Sequence, residues 1–227
     1  MTTISLELKD GIHVLTLINA AKDNTLTTAT MREYLAAFDE VEQYQGETAL
    51  MLTCEHEKTF CTGIDLAWLN TQNRQDSEEF VHLFETTLCR LALLNAPTVA
   101  CINGNAYAGG AIMASAADFR LMRADRGRFC FPEVNIRIPF TPVTNTIAHL
   151  LPNKQALRTM MLTGAAYTGA ECFDNGIVDG LYDSDQLQTA GSEMAQKLAL
   201  KDRATYTHIR NLMRSDIATH LTQLSQP

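Results

Sequence analysis

Apolar positions in this chain first alternate, then recur at helical spacing, then gather into short runs. Residues 3–8 and 11–18 alternate or run apolar, with β-branched enrichment, on either side of Asp10-Gly11, which predicts an opening hairpin. From Thr27, Met31, Leu35, Phe38 and Val41 fall at helical spacing and predict a helix to about Gln45, ended by Gly46. Apolar runs at 48–54 and 98–102 predict buried strands, with a helix from about Ser77 to Leu94 between them. Residues 108–117 are small and apolar and suit a buried helix entered from a glycine-rich turn; strand-like stretches follow at 119–123 and 128–131. Residues 132–142, punctuated by proline, read as a loop, and helices follow at about 143–150 and 153–162. The segment 163–183 reads as loop, a short helix from about Gly169 to Asn175 and a short strand, and 185–225 as two helical stretches. Strand and helix alternate, so the fold class is α/β.

Composition narrows the function. The 227 residues, 46% of them hydrophobic, supply the core of one large domain or of one domain with an appendage. Lys and Arg number 18 against 26 Asp and Glu, a net charge of -8 that repels a phosphate backbone or an anionic bilayer at long range. Neither nucleic acid nor membrane is therefore expected as a partner. The cysteines at 54, 61, 89, 101, 130 and 172 form no CxxC pair, and no histidine is spaced to complete a zinc site, so reduced and mostly buried thiols are expected. The first ten residues carry charges of both signs, with no signal-like apolar run, and neither end shows a peroxisomal or lipidation signal. A cytoplasmic location is the expectation. No charge lies between Arg90 and Asp118, but Asn95, Pro97, Asn103, Gly104 and Asn105 would burden a lipid-facing helix, and a buried core element is the better account.

Four local patterns carry candidate chemistry. Phe60-Cys61-Thr62-Gly63-Ile64-Asp65-Leu66 is a glycine turn after a strand, in which Asp65 can cap the next helix. Asn103-Gly104-Asn105-Ala106-Tyr107-Ala108-Gly109-Gly110 leads into a small-residue helix and presents backbone N–H groups suited to an oxyanion, or simply packs that helix tightly. In Phe131-Pro132-Glu133-Val134-Asn135-Ile136-Arg137 one carboxylate sits among apolar neighbours, which would raise its pKa and make it a better proton acceptor unless Arg137 or Arg128 pairs with it. Leu162-Thr163-Gly164 and Gly169-Ala170-Glu171-Cys172-Phe173-Asp174-Asn175-Gly176 look structural, a capped short helix ended by glycine.

Taken in order, these four segments resemble the crotonase superfamily, the enoyl-CoA hydratase/isomerase fold, over about residues 3–183. The resemblance implies a crotonase-like spiral of ββα units over 1–183 and a helical C-terminal oligomerisation region over 184–227, in a homotrimer or dimer of trimers. It implies an acyl-CoA thioester as substrate, with no metal and no separate cofactor. Its oxygen would be held by the backbone N–H groups of Ile64 and Gly109, and Glu133 would be the catalytic base. The hydratases of this family place a second glutamate in the helix after the glycine-rich loop, where this chain has Ile112. The resemblance is therefore closer to the isomerases that move a double bond from the 3 to the 2 position of an enoyl-CoA, in fatty-acid metabolism. Lys22 is placed to meet a CoA phosphate, and Asp65, Leu66 and Ala67 to lie along the CoA, with Ile112 lining the acyl site. Trp68 and Phe84 read as acyl-pocket walls or as plain core. Arg137 stands where the family usually has glycine, and is expected to point outward. The alternatives are an enoyl-CoA hydratase, a thioester hydrolase, or a non-catalytic oligomeric binding protein on the same scaffold.

Overall fold

Asp10 and Gly11 both take positive φ (48° and 82°) and turn β1 (Ile4–Lys9) directly back on β2 (Ile12–Leu17), an antiparallel hairpin whose innermost pair is Lys9 with Ile12. The structure, a computed structural model, describes residues 2–226. Thr27 accepts the Thr30 N–H and starts α1 (Thr28–Gln43), which buries Met31, Phe38 and Val41 as the periodicity requires.

From there the chain steps repeatedly between two sheets. β3 (Leu50–Cys54) enters the large sheet and β4 (Thr59–Cys61) the small one, and α2 (Leu66–Leu69) and α3 (Arg74–Ala92) lead back. The step repeats with β5 (Thr98–Ile102), β6 (Asn105–Tyr107) and α4 (Gly109–Ala116), and again with β7 (Phe119–Arg123) and β8 (Arg128–Cys130). Then come α5 (Glu133–Ile136), α6 (Pro142–Ala148), α7 (Lys154–Thr163), β9 (Ala166–Thr168), α8 (Gly169–Asp174) and β10 (Gly180–Tyr182). The large sheet has the order β1-β2-β3-β5-β7-β10, parallel beyond the hairpin; the small sheet has the order β4-β6-β8-β9, with β9 antiparallel. This is the α/β spiral of ββα units expected from the sequence.

The uncharged stretch ends in α4, every residue of which is buried. Among the described residues no helix is long and apolar enough to cross a membrane. All six cysteines are free and buried. On the far face of the large sheet, Val14, Met51, Val99 and Leu121 pack against Leu187, Ala195 and Ala199 of α9 (Leu187–Ala199).

Two further helices follow, α10 (Arg203–Met213) and α11 (Ser215–Leu224). The tail is thus three helices, where two were expected. Its break is made without glycine or proline: the Asp202 carboxylate accepts the Thr205 N–H (2.8 Å) and restarts the chain as α10. Arg210 and Arg214 reach from this region to Asp118, at 3.5 and 3.0 Å. Arg214 also donates to the carbonyls of Ala92 and Ala116, the last residues of α3 and α4, where the helix dipole favours a cation. The three-residue strands β6 and β9 and the single-turn α5 fall where the sequence read as loop, because so few residues carry no measurable period.

Candidate active site

Glu133 opens α5 directly after Pro132, and the helix stops one turn later because Arg137 adopts the left-handed conformation (φ 60°, ψ 35°). The Arg137 and Ile138 N–H groups both bond to the Glu133 carbonyl, which pins the backbone of the carboxylate. Its side chain is buried, at 6% exposure, and Oε2 meets no hydrogen-bond donor. Burial pushes this carboxyl up to about 7, with its own backbone amide pulling weakly the other way. Neither Arg128 nor Arg137 pairs with it: Arg128 donates to the Ala166 carbonyl, and Arg137 is exposed and lines no part of the cavity described below.

The left-handed geometry at 137 explains why glycine suits this position. An L-residue there is strained by roughly 1–2 kcal/mol. Arg137→Gly is expected to stabilise the protein by about 0.5–1 kcal/mol after the added freedom of the unfolded chain is subtracted. A urea midpoint shifted downward instead would show that the arginine side chain contributes contacts of its own.

Ile64 and Gly109, each with a backbone N–H that has no backbone acceptor among the described residues, line one cavity. Leu26 and Ile64 form a parallel bridge in which Leu26 N–H bonds to Gly63 O (2.9 Å) and Asp65 N–H to Leu26 O (3.0 Å). In such a bridge the N–H of Ile64 itself turns to the opposite side. Gly109 is the first residue of α4, so its N–H has no acceptor within the helix. Among the described residues neither group is bonded to a backbone acceptor. Ala108 sits at φ 48°, ψ -124°, a conformation that costs a non-glycine residue about 1–3 kcal/mol and here aims the start of α4 at the cavity. Gly63 (φ +85°) is needed twice over, because a Cβ there would stand 2.7 Å from the Gly109 nitrogen. At Gly110 a Cβ would stand 2.2 Å from the Cys61 carbonyl oxygen, so glycine lets β4 and α4 meet.

The cavity between these groups holds about 200 Å³. Ile64, Gly109, Ile112 and Glu133 all line it, with Leu66, and Phe80 and Phe84 of α3 form an apolar wall. Ile112 lies on the first turn of α4 and is 3% exposed. Trp68 lies outside the cavity and packs edge-on against Phe80 (5.3 Å, 71°). The Asp65 carboxylate accepts the Trp68 N–H (2.9 Å) and so caps α2. Ala67 and Lys22 are exposed and do not line the cavity. Lys22 belongs to a turn that reaches the cavity rim: the Asp23 carbonyl accepts both the N–H and the hydroxyl of Thr62 (3.3 Å each), and Thr62 is a lining residue. Sequence reasoning had not singled out Val81, Glu85, Phe140 or Thr144, which also line the cavity. Residues of α3 repeating at helical spacing look alike in sequence whether they face a cavity or a core.

An elevated carboxylate, two free N–H groups and an apolar enclosure can together remove a proton next to a carbonyl and hold the resulting oxyanion. The family model described as Enoyl-CoA hydratase/isomerase matches residues 7–226. The peroxisomal enoyl-CoA delta isomerase 2 of Arabidopsis thaliana is 28% identical over 205 residues, covering 87% of this chain and 85% of its own. The short-chain-enoyl-CoA hydratase of Clostridium acetobutylicum is 27% identical over 87% of this chain and 76% of its own. Among solved structures, a probable enoyl-CoA hydratase from Mycobacterium tuberculosis shares the fold with a TM-score of 0.89 at 22% identity, over 98% of this chain and 92% of its own.

Proposed function

This chain belongs to the enoyl-CoA hydratase/isomerase family, and from that premise we propose that it isomerises 3-enoyl-CoA to 2-enoyl-CoA. Glu133 takes a proton from C2, and the electrons of that C–H bond form a dienolate whose negative charge rests on the thioester oxygen. The N–H groups of Ile64 and Gly109 donate to that oxygen. The protonated Glu133 then returns its proton to C4, leaving the double bond between C2 and C3 and restoring the carbonyl. One carboxyl serves both steps, and each oxyanion donor is worth roughly 2.7–4 kcal/mol in the transition state.

The observation that carries this reading is Ile112. It lines the cavity at the helix position that, on the family resemblance, a hydratase gives to its second water-holding carboxylate, and an apolar side chain there would shield the dienolate from water. Lys22, on the turn at the rim, is proposed to meet a CoA phosphate, and Leu66 to flank the thioester arm. The test offers the protein a 3-enoyl-CoA and a 2-enoyl-CoA in parallel. Conversion of the first without hydration of the second is expected; a 3-hydroxyacyl product from the second would establish the hydratase alternative.

A homotrimer or a dimer of trimers is part of the proposal. Ile209, Leu212 and Met213 lie on one face of α10 and are 55%, 67% and 80% exposed, an apolar cluster of the kind that marks an interaction surface. Light scattering is expected to give a multiple of three chains, and a monomer at micromolar concentration would refute it.

A further inference from the structure

Glu85 is the second carboxylate lining the cavity, and the proposed reaction leaves it without a task. It lies one turn after Val81 on α3, and the same two residues also line an open groove beside the end of α11, where Leu224 stands. Ile64, Gly109 and Glu133 line the cavity and not the groove. No residue of the 19–24 turn or of 62–66 lines the groove, so it lies apart from the rim at which Lys22 sits. Val81 and Glu85 are therefore the residues that the apolar cavity and the groove share. Glu85 is half-buried, and among the described residues no cation pairs with it.

We propose that Val81 and Glu85 set the upper limit on acyl length. A chain that ends inside the cavity leaves the Glu85 carboxylate hydrated from the groove. A longer chain must slide past it, replacing its water with methylenes that offer no hydrogen bond, which opposes binding. The inference rests on the acyl-CoA reading given above. Its scale follows from the volume: an engineered apolar cavity of about 150 Å³ holds benzene, roughly 25 Å³ per non-hydrogen atom. The 200 Å³ here then holds about eight such atoms. With the carbonyl oxygen included, that is an acyl group of about six or seven carbons.

The experiment titrates the full chain with saturated hexanoyl-, octanoyl- and dodecanoyl-CoA, and follows turnover of the matching 3-enoyl thioesters. Wild-type affinity is expected to fall by about tenfold from hexanoyl to dodecanoyl. Glu85→Gln, which removes the charge at nearly constant shape, and Glu85→Leu are each expected to recover most of that ratio, the leucine more completely. Equal wild-type affinity for the short and long ligands, or a ratio that neither substitution moves, would overturn the proposal. Reading a ratio within each variant removes any general loss of active protein. Because saturated ligands cannot isomerise, the expected ratio together with no turnover of any 3-enoyl substrate would refute the isomerase reading and leave the length limit standing.

Discussion

Glu133→Gln is expected to lower kcat for a 3-enoyl-CoA by about 10³-fold, within the range that a positioned general base contributes. The amide keeps the shape of the side chain but accepts no proton, so substrate binding should change far less than turnover. In the unsubstituted protein kcat/KM should fall as the pH drops below about 7, because only the ionised carboxylate is a base and burial holds this one near that value. The same burial has a consequence for stability. The native state keeps its proton up to about 7, whereas the unfolded chain releases it near the ordinary value of 4.5. Stability therefore declines as pH rises through that window and stays lowered above it, by an amount of up to about 3 kcal/mol. Glu133→Gln should accordingly unfold at higher temperature than the parent near pH 8 and lose that advantage toward about pH 5. A variant that isomerises at close to the parental rate would remove Glu133 from the mechanism.

Asp118→Ala is expected to cost about 3–5 kcal/mol of stability, the range for deleting one partner of a buried ionic cluster. The Asp118 side chain is 5% exposed and sits 3.0 Å from Arg214 and 3.5 Å from Arg210. Its Oδ2 accepts the Thr98 N–H (2.9 Å) and the Tyr206 hydroxyl (3.0 Å). Removing it leaves two buried guanidinium groups with carbonyl partners but no counter-charge, and unmoors α10 from the strand starts at β5 and β7. For a chain of this size, a melting temperature lower by about 10 °C should follow. Asp118→Asn, which can still accept from Thr98 and Tyr206, should fall between the two. A loss of about 1 kcal/mol or less for the alanine variant would mean that the cluster contributes little net energy.

Much of this arrangement was legible beforehand, for identifiable reasons. The hairpin announced itself by apolar runs on either side of Asp-Gly, α1 by its helical spacing, β3 and β5 as short apolar runs, and α4 as a small-residue run after a glycine-rich turn. Glu133 stood out as a carboxylate in an apolar run, and the glycine-rich loop as a source of backbone N–H groups, whereas Ile64 and Gly109 themselves were named through the family resemblance. The outward setting of Arg137 was legible too, and its left-handed backbone supplies a reason for it. Val81 and Glu85 were not legible, because a helix carries no mark for which of its turns borders a cavity. The third helix of the tail was missed because its boundary is a lone aspartate cap and a bend at Arg214.

By itself the sequence determined the local conformations and the chemical inventory: period, cap and turn residues act within a few positions of one another, and a carboxylate or a thiol is the same group wherever it lies. Tertiary structure alone decided what these groups become. It brought Gly63 of one turn against Gly109 of another, and left the N–H groups of Ile64 and Gly109 without a backbone acceptor among the described residues. It took water from Glu133 and moved its pKa toward neutrality, and it divided an apolar cavity from an open groove at Val81 and Glu85. Those properties depend on contacts between segments distant along the chain, and desolvation is a property of the surroundings that no residue carries alone.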